Sequence, residues 1–374
     1  MAEPDLRRII TIGAPMSPDP VRLAELMAEA IAANWFSNGG ALHMQLEQAL
    51  TRREAASDAA SLTSSGTMAL MLALGLGNLP LGSEVITTPL SFAATAQAIA
   101  WSGLRPVFAD VDAEMLTLCP RAVQAAITPR TSAILPVHFL GVPCDVAAMA
   151  EIAKQHGLWL VYDAAHAFDV SFGGQPLGHY GDAAAFSLHA TKILHTGEGG
   201  YVVTRRGQAQ AFRRMRNFGL EAGKPVGMGL NGKLSELQAA LGLTLLPDLA
   251  SELQARAALR RSYDAALGGI PGLRLHATRA EASDSLGYYA LRLAPDLRAR
   301  LHVALAESRI IARDHFPILC GQGTPWPDAS IVTAEGGPAL APSLGAQVLC
   351  LPMHGRVTAS DVKRIAVVVR SVMQ

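Results

Sequence analysis

Between residues 60 and 205 the chain repeats one pattern, and that pattern restricts the fold more than any other feature. Short apolar runs at 84–88, 106–110, 132–137, 158–162, 183–187 and 201–204 are separated by stretches of helical character, among them 91–102 and 146–155. The runs are mainly apolar and do not alternate apolar with polar. Strands of that kind are buried on both faces, as in a mostly parallel sheet with helices above and below it. The expected fold class is therefore α/β.

Helical stretches at 20–33 and 42–53 lead into this region, and 233–246 and 253–267 follow it. The last connects to a smaller unit with strands expected at 287–293 and 348–351 and a closing helix at 359–372. Residues 321–342, rich in Gly and Pro, read as loop. A chain of 374 residues accommodates about two domains. The expected division is a large domain over 1–248, with a helical lead-in, and a small C-terminal α/β domain over 249–374.

Composition limits the partners. Half the residues are hydrophobic, enough for a sizeable core. Lys plus Arg equals Asp plus Glu at 31 each, so the basic excess typical of nucleic-acid binding is missing and no such partner is expected. A small anionic substrate needs only a few local cations. Cys119, Cys144, Cys320 and Cys350 lie far apart without CxxC spacing, which disfavours a zinc site or redox pair and suits a reducing compartment. Residues 1–10 are polar and charged, and stretches such as 93–101 are too short to span a bilayer. A soluble, cytoplasmic protein with no membrane or metal partner is expected.

Four local settings carry candidate chemistry. Ser64-Ser-Gly-Thr67 precedes an apolar helix, where free backbone N–H groups and small side chains suit an anion; it also reads as an ordinary helix cap. Phe92 follows a strand, where it reaches a site or simply fills core. Asp163 ends the apolar run 158–162, an expensive place for an acid unless it is paired or caps a turn. His166 lies three residues later and suits either a ligand contact or a satisfied buried position. Lys192 follows Phe186-Ser-Leu-His-Ala-Thr and precedes Thr196-Gly-Glu-Gly-Gly200, with Ser187 offering a hydroxyl nearby. Lysine is scarce in this chain, although a solvated loop lysine is the common case.

Pyridoxal phosphate requires a lysine amine, a carboxylate at its pyridinium nitrogen, donors for its phosphate and a flat group on its ring. Lys192, Asp163, the Gly66–Thr67 turn and Phe92 meet those demands in order, each expected at the end of a successive strand.

Ser65-Gly-Thr67, Val161-Tyr-Asp-Ala-Ala-His-Ala167, Phe186 to Lys192 and Thr196-Gly-Glu-Gly-Gly200 resemble the DegT/DnrJ family of sugar-nucleotide aminotransferases. Phe36-Ser-Asn-Gly-Gly40, Met215-Arg-Asn-Phe-Gly219, the stretch 229–242 and Val348-Leu-Cys-Leu-Pro-Met-His354 extend the resemblance over nearly the whole chain. The resemblance implies a fold-type I pyridoxal-phosphate transferase. It implies Lys192 as the Schiff-base lysine and proton shuttle, Asp163 as the pyridinium partner and His166 beside the ring. Gly66, Thr67 and Ser187 match phosphate contacts, and Phe92 the stacking aromatic. Asn231 matches a residue that reaches the phosphate of a neighbouring subunit, which implies a homodimer with shared active sites. Tyr162 stands where the family usually has Glu. Arg313-Asp-His-Phe-Pro317 departs from the family's Arg-x-Tyr-Phe, near the sugar-nucleotide end of the site. Arg313, His315 and Lys233 are the substrate-binding candidates.

The expected activity is amino transfer from an amino acid, glutamate first, to a nucleotide-linked keto-deoxysugar. Some relatives carry histidine at the lysine position and are dehydratases; Lys192 favours transamination. A keto-cyclitol acceptor is the alternative within the same chemistry. A non-catalytic sensor or partner protein of the same fold is the alternative of another class.

Overall fold

The computed structural model describes residues 8–54, 60–205 and 207–374. Most of the polar start, residues 1–7, lies outside the described residues.

Strands β1 (Ala60–Thr63), β2 (Glu84–Thr87), β3 (Arg105–Ala109), β4 (Thr131–Leu135), β5 (Trp159–Asp163), β6 (Ala183–Ser187) and β7 (Gly200–Thr204) belong to one sheet. Two more, β8 (Tyr289–Arg292) and β10 (Val348–Leu351), form a separate antiparallel pair, and β9 (Ile331–Val332) closes the edge of the large sheet. The order in the large sheet is β1-β7-β6-β5-β4-β2-β3-β9. The run from β6 to β9 is parallel, whereas β7 lies antiparallel to both β1 and β6. The carboxyl ends of β1, β2, β5 and β6 therefore share one edge, and β7 begins there at Gly200.

Successive residues of these strands enter opposite cores, which is why the runs are mainly apolar and do not alternate. Ile134, Leu160, Tyr162, Ala184, Phe186 and Tyr201 face one apolar cluster. Their neighbours Ala133, Leu135, Val161, Ala183, Ala185 and Val202 face another. The first core is covered by α1 (Pro20–Ala32), α2 (Ala41–Arg53), α5 (Pro120–Ala126), α6 (Val146–His156) and α8 (Glu236–Leu245). The second is covered by α3 (Gly66–Gly75), α4 (Ala93–Trp101) and α7 (Ala209–Arg216). Local sequence sets the helix limits. The α6 N-terminus is capped by Asp145, whose carboxylate accepts from the Ala148 amide, and Gly157 ends it at φ +63°.

The chain then runs into α9 (Leu249–Leu267), α10 (Pro295–Glu307), α11 (Ala341–Gly345) and α12 (Ala359–Met373). A further core joins Leu259 and Tyr263 of α9, Tyr289 and Leu291 of β8, Leu349 of β10, and Ile365 and Val369 of α12. Ile10 packs into this core as well, and its backbone pairs with the 309–311 segment. No helix among the described residues is long and apolar enough to cross a membrane.

Three expectations change. The helix expected from Lys233 starts at Glu236, because Ser235 forms a capping box with Gln238 and leaves Lys233 and Leu234 outside. The helix expected from Leu253 starts earlier, at Leu249. The stretch 321–342 is not loop throughout: Ile331 and Val332 pair with Phe108 and Ala109, and α11 begins at Ala341.

Candidate active site

The ends of β1, β5 and β6 and the start of α3 open onto one cavity of about 500 Å³. Gly66, Thr67, Phe92, Asp163, His166, Ser187, Lys192, Arg313 and His315 all line it. The strands that carry them are not successive, as the sequence suggested. The anion turn follows β1, Phe92 follows β2, Asp163 ends β5 and Lys192 follows β6, with β3 and β4 intervening in the chain.

Ser65 caps α3, accepting from the Met68 amide at 3.1 Å. This cap leaves the Gly66 and Thr67 amides at the positive end of the helix without intrahelical acceptors. Gly66 is required by space. A Cβ there would lie 2.9 Å from Ser187 Cβ, and one on Gly200 would lie 2.8 Å from the Gly66 nitrogen. Backbone donors, a small side chain and the Ser187 hydroxyl thus form a wall close enough to hold a phosphate.

Asp163 is buried at the end of β5. Its Oδ2 accepts from Thr95 Oγ1 at 2.8 Å and its Oδ1 from the Ala165 amide at 3.1 Å. Burial pushes its carboxyl above the ordinary range, against those two bonds and the charge of Lys192. A buried carboxylate held by neutral donors and lining a cavity suits a cationic heterocycle such as a protonated pyridine nitrogen. With the Gly66 wall and Lys192 in the same cavity, the residues present fit pyridoxal phosphate.

His166 is also buried, and burial, reinforced by the charges of Lys192, His315 and His138, holds its imidazole well below the usual range. Nδ1 accepts from the Leu140 amide at 3.3 Å, so the neutral ring carries its hydrogen on Nε2. The ring stacks on Phe316 at 5.0 Å between centroids, and Phe316 meets Phe92 edge-on at 5.9 Å. Lys192 Nζ donates to Tyr288 Oη at 3.0 Å. Burial, with Arg313 and Lys192 nearby, lowers His315 to about 4.

Two candidates lie elsewhere. Asn231 is exposed and pairs through its backbone with Asn217. Lys233 Nζ donates to Asn217 Oδ1 at 3.0 Å and lies 4.7 Å from the Phe218 ring centre. Neither lines the cavity of its own chain. Sequence reasoning missed Thr95, Tyr288, Arg256 and Glu198. Thr95 had a weak signal, being a hydroxyl inside the Ala-rich stretch Ala93-Ala-Thr-Ala96. Tyr288 had another: in Tyr288-Tyr289 on a strand, the two rings must face opposite sides.

Solved aminotransferases share this architecture. DesI, crystallised in the presence of its TDP-sugar product, superposes with a TM-score of 0.89 at 32% identity, over 98% of this chain and 93% of that one. Fold and cavity together define a pyridoxal-phosphate-dependent aminotransferase. The chain belongs to the DegT/DnrJ/EryC1/StrS aminotransferase family, which matches residues 21–370. It is 34% identical over 346 residues to dTDP-4-amino-4,6-dideoxy-D-glucose transaminase of Shigella dysenteriae, covering 90% of this chain and 92% of the relative. The transaminase of that name from Escherichia coli is 31% identical, with 93% and 94% covered.

Proposed function

We propose that the chain moves an amino group from an amino acid, glutamate in the first instance, to a keto-sugar carried on a nucleoside diphosphate. The observation that carries this reading is the meeting of Lys192, the buried Asp163 and the α3 N-terminus in one cavity. Similarity to DesI and to the Shigella transaminase supports the acceptor class.

The bound cofactor supplies an electron sink for the substrate's α-carbon. Asp163 would hold a proton at its ring nitrogen. The Gly66 and Thr67 amides and Ser187 Oγ would hold its phosphate, Phe92 would cover its ring, and His166 Nε2 would donate beside it. Lys192 Nζ, as a free amine, would take the proton from the donor's α-carbon and return it during amino transfer. Arg313 and His315 face the sugar nucleotide.

A homodimer with shared sites belongs to this proposal. Asn231 serves the partner's phosphate, and Lys233 the partner's substrate diphosphate. Phe218 and Met228 are exposed on the segments that adjoin Asn231, an apolar surface that suits a second copy. The chain divides near residue 248 into a large unit, 1–248, and a small one, 249–374, with Ile10 packed on the small one. A cytoplasmic setting is part of the reading, supported by four free cysteines.

Absorbance tests it. Wild type with cofactor should show a visible band that glutamate bleaches, and Lys192→Ala should lose that band. Persistence of the band in the variant would sink the lysine assignment. A panel of keto-sugar nucleotides and free keto-cyclitols, read by amine product, then decides the acceptor. Turnover of the cyclitols alone refutes the sugar-nucleotide reading.

A further inference from the structure

We propose that Tyr288 is a positioning residue: its phenol oxygen holds the Lys192 amine while that amine is off the cofactor, keeping it aimed for proton movement. The inference rests on the reading of Lys192 given above.

Strand alternation explains how the phenol gets there. Tyr289 is buried in the C-terminal core, where its Oη donates to Asp264 Oδ1 at 2.7 Å. Tyr288, one residue earlier on β8's path, therefore faces the other way, into the cavity. Its ring is held on two sides by edge contacts, to His166 at 5.1 Å and to His315 at 5.9 Å. His166 is itself fixed by Leu140 and Phe316. The 313 segment is tied to β10 by the paired backbone bonds of Arg313 and Cys350. The phenol thus sits on the C-terminal side of the cavity, while Lys192 comes from the loop after β6.

The chemistry of the bond suits an amine that must come and go. Lys192 Nζ donates to Tyr288 Oη at 3.0 Å and lies 5.6 Å from the centre of the same ring. A long, rotatable side chain released into a cavity of about 500 Å³ would otherwise sample many positions. A phenol acceptor restricts it to one. It binds the amine less tightly than a carboxylate would, so the amine can still leave. A proton-transferring group held in place is worth large factors in rate, because a displacement of about 1 Å costs about 10²-fold.

The test is Tyr288→Phe, which keeps the ring and its edge contacts and removes the oxygen. The half-reaction with glutamate should slow by roughly 10- to 100-fold. Glutamate binding and the cofactor's visible band should persist. The kinetic isotope effect with α-deuterated glutamate should rise, because proton transfer becomes the slow step. A purely structural role would leave that isotope effect alone. Tyr289→Phe, which removes the core phenol, should leave it unchanged. An unchanged rate and isotope effect in Tyr288→Phe overturns the proposal, as does a slower rate with an unchanged isotope effect. Should Tyr288→Phe not fold, 3-fluorotyrosine at position 288 preserves the shape and weakens the oxygen as an acceptor. A half-reaction isotope effect identical to wild type then counts against the proposal, and a larger one supports it. A wild-type band that no amino acid bleaches overturns the amino-transfer reading itself, which distinguishes the two failures.

Discussion

Thr95 Oγ1 donates to Asp163 Oδ2 at 2.8 Å, and Ser91 Oγ lies 2.7 Å behind Thr95. A pair of hydroxyls from the start of α4 thus orients a buried carboxylate at the end of β5. Thr95→Val keeps the volume and removes the donor. Loss of a buried hydrogen bond to a charged group costs about 1–3 kcal/mol, so cofactor affinity should fall about tenfold or more. Equilibrium titration of the cofactor by absorbance reads the change.

Asp163→Asn should separate activity from stability. Without the carboxylate, amino transfer should fall by about 10²- to 10⁴-fold. The cofactor-free protein should be no less stable at neutral pH. Burial raises the Asp163 carboxyl, so folding favours its protonated form. Its stabilising contribution is present below the unfolded value and is lost as pH rises through the folded one. Asparagine removes that loss. Thermal melts of cofactor-free protein and steady-state rates measure the two effects.

Gly66→Ala should weaken the cofactor site without blocking folding of the sheet. The new Cβ would meet Ser187 Cβ at 2.9 Å and Ser187 Cα at 3.3 Å, forcing α3 and β6 apart at the wall proposed to hold the phosphate. A displacement of even about 1 Å is enough for a loss near 10²-fold in activity. Excess cofactor should restore part of the rate, which a rate-against-cofactor curve checks.

Glu54 supplies a pH dependence remote from the cavity. Burial raises its carboxyl to about 7, against the Tyr201 hydroxyl, the Arg53 charge and the Gly178 amide, and with the Asp169 charge adding to the rise. Tyr201 Oη donates to Glu54 Oε1 at 2.7 Å. The folded value is raised, so the stabilising effect is complete below about 4.5 and disappears as pH climbs to about 7. The stability of Glu54→Gln relative to wild type should rise across that window, by on the order of 3 kcal/mol at most. Urea denaturation of both proteins at several pH values measures the difference.

Arg256 is a structural cation at the cavity's edge. Its Nε donates to Glu252 Oε1 at 2.6 Å, and its Nη1 to the carbonyls of Leu286 at 3.1 Å and Met353 at 2.7 Å. Arg256→Ala leaves the partly buried Glu252 carboxylate with the Gly355 amide and strands the two carbonyls, and should cost about 1–3 kcal/mol in unfolding free energy. A drop in activity without that loss would mark Arg256 as a substrate contact instead.

The α/β class and six strands of the large sheet were legible because a strand buried on both faces is mainly apolar on successive residues, with helical stretches between such runs. The edge strands were not. Ala60–Thr63 contains Ser61 and Thr63, and Ile331–Val332 is a two-residue piece inside a Gly- and Pro-rich stretch. Each becomes a strand by pairing with a neighbour more than 130 positions away, β7 and β3 respectively. The cap that starts α8 at Glu236 was written in Ser235 and Gln238, but helical periodicity alone ran past it.

For the site, the sequence alone determined the parts whose chemistry is local. The glycine turn at a helix start, the acid ending an apolar strand and the lysine in a glycine-flanked loop depend on neighbours within a few residues. Tertiary structure alone decided their partners. Thr95 and Asp163 are 68 positions apart, and Lys192 and Tyr288 are 96 apart. Such pairs depend on strand order and on how the chain passes the cavity as it enters β8. A local pattern carries no information on either, because the free energy that selects them comes from packing the whole sheet and the C-terminal core at once.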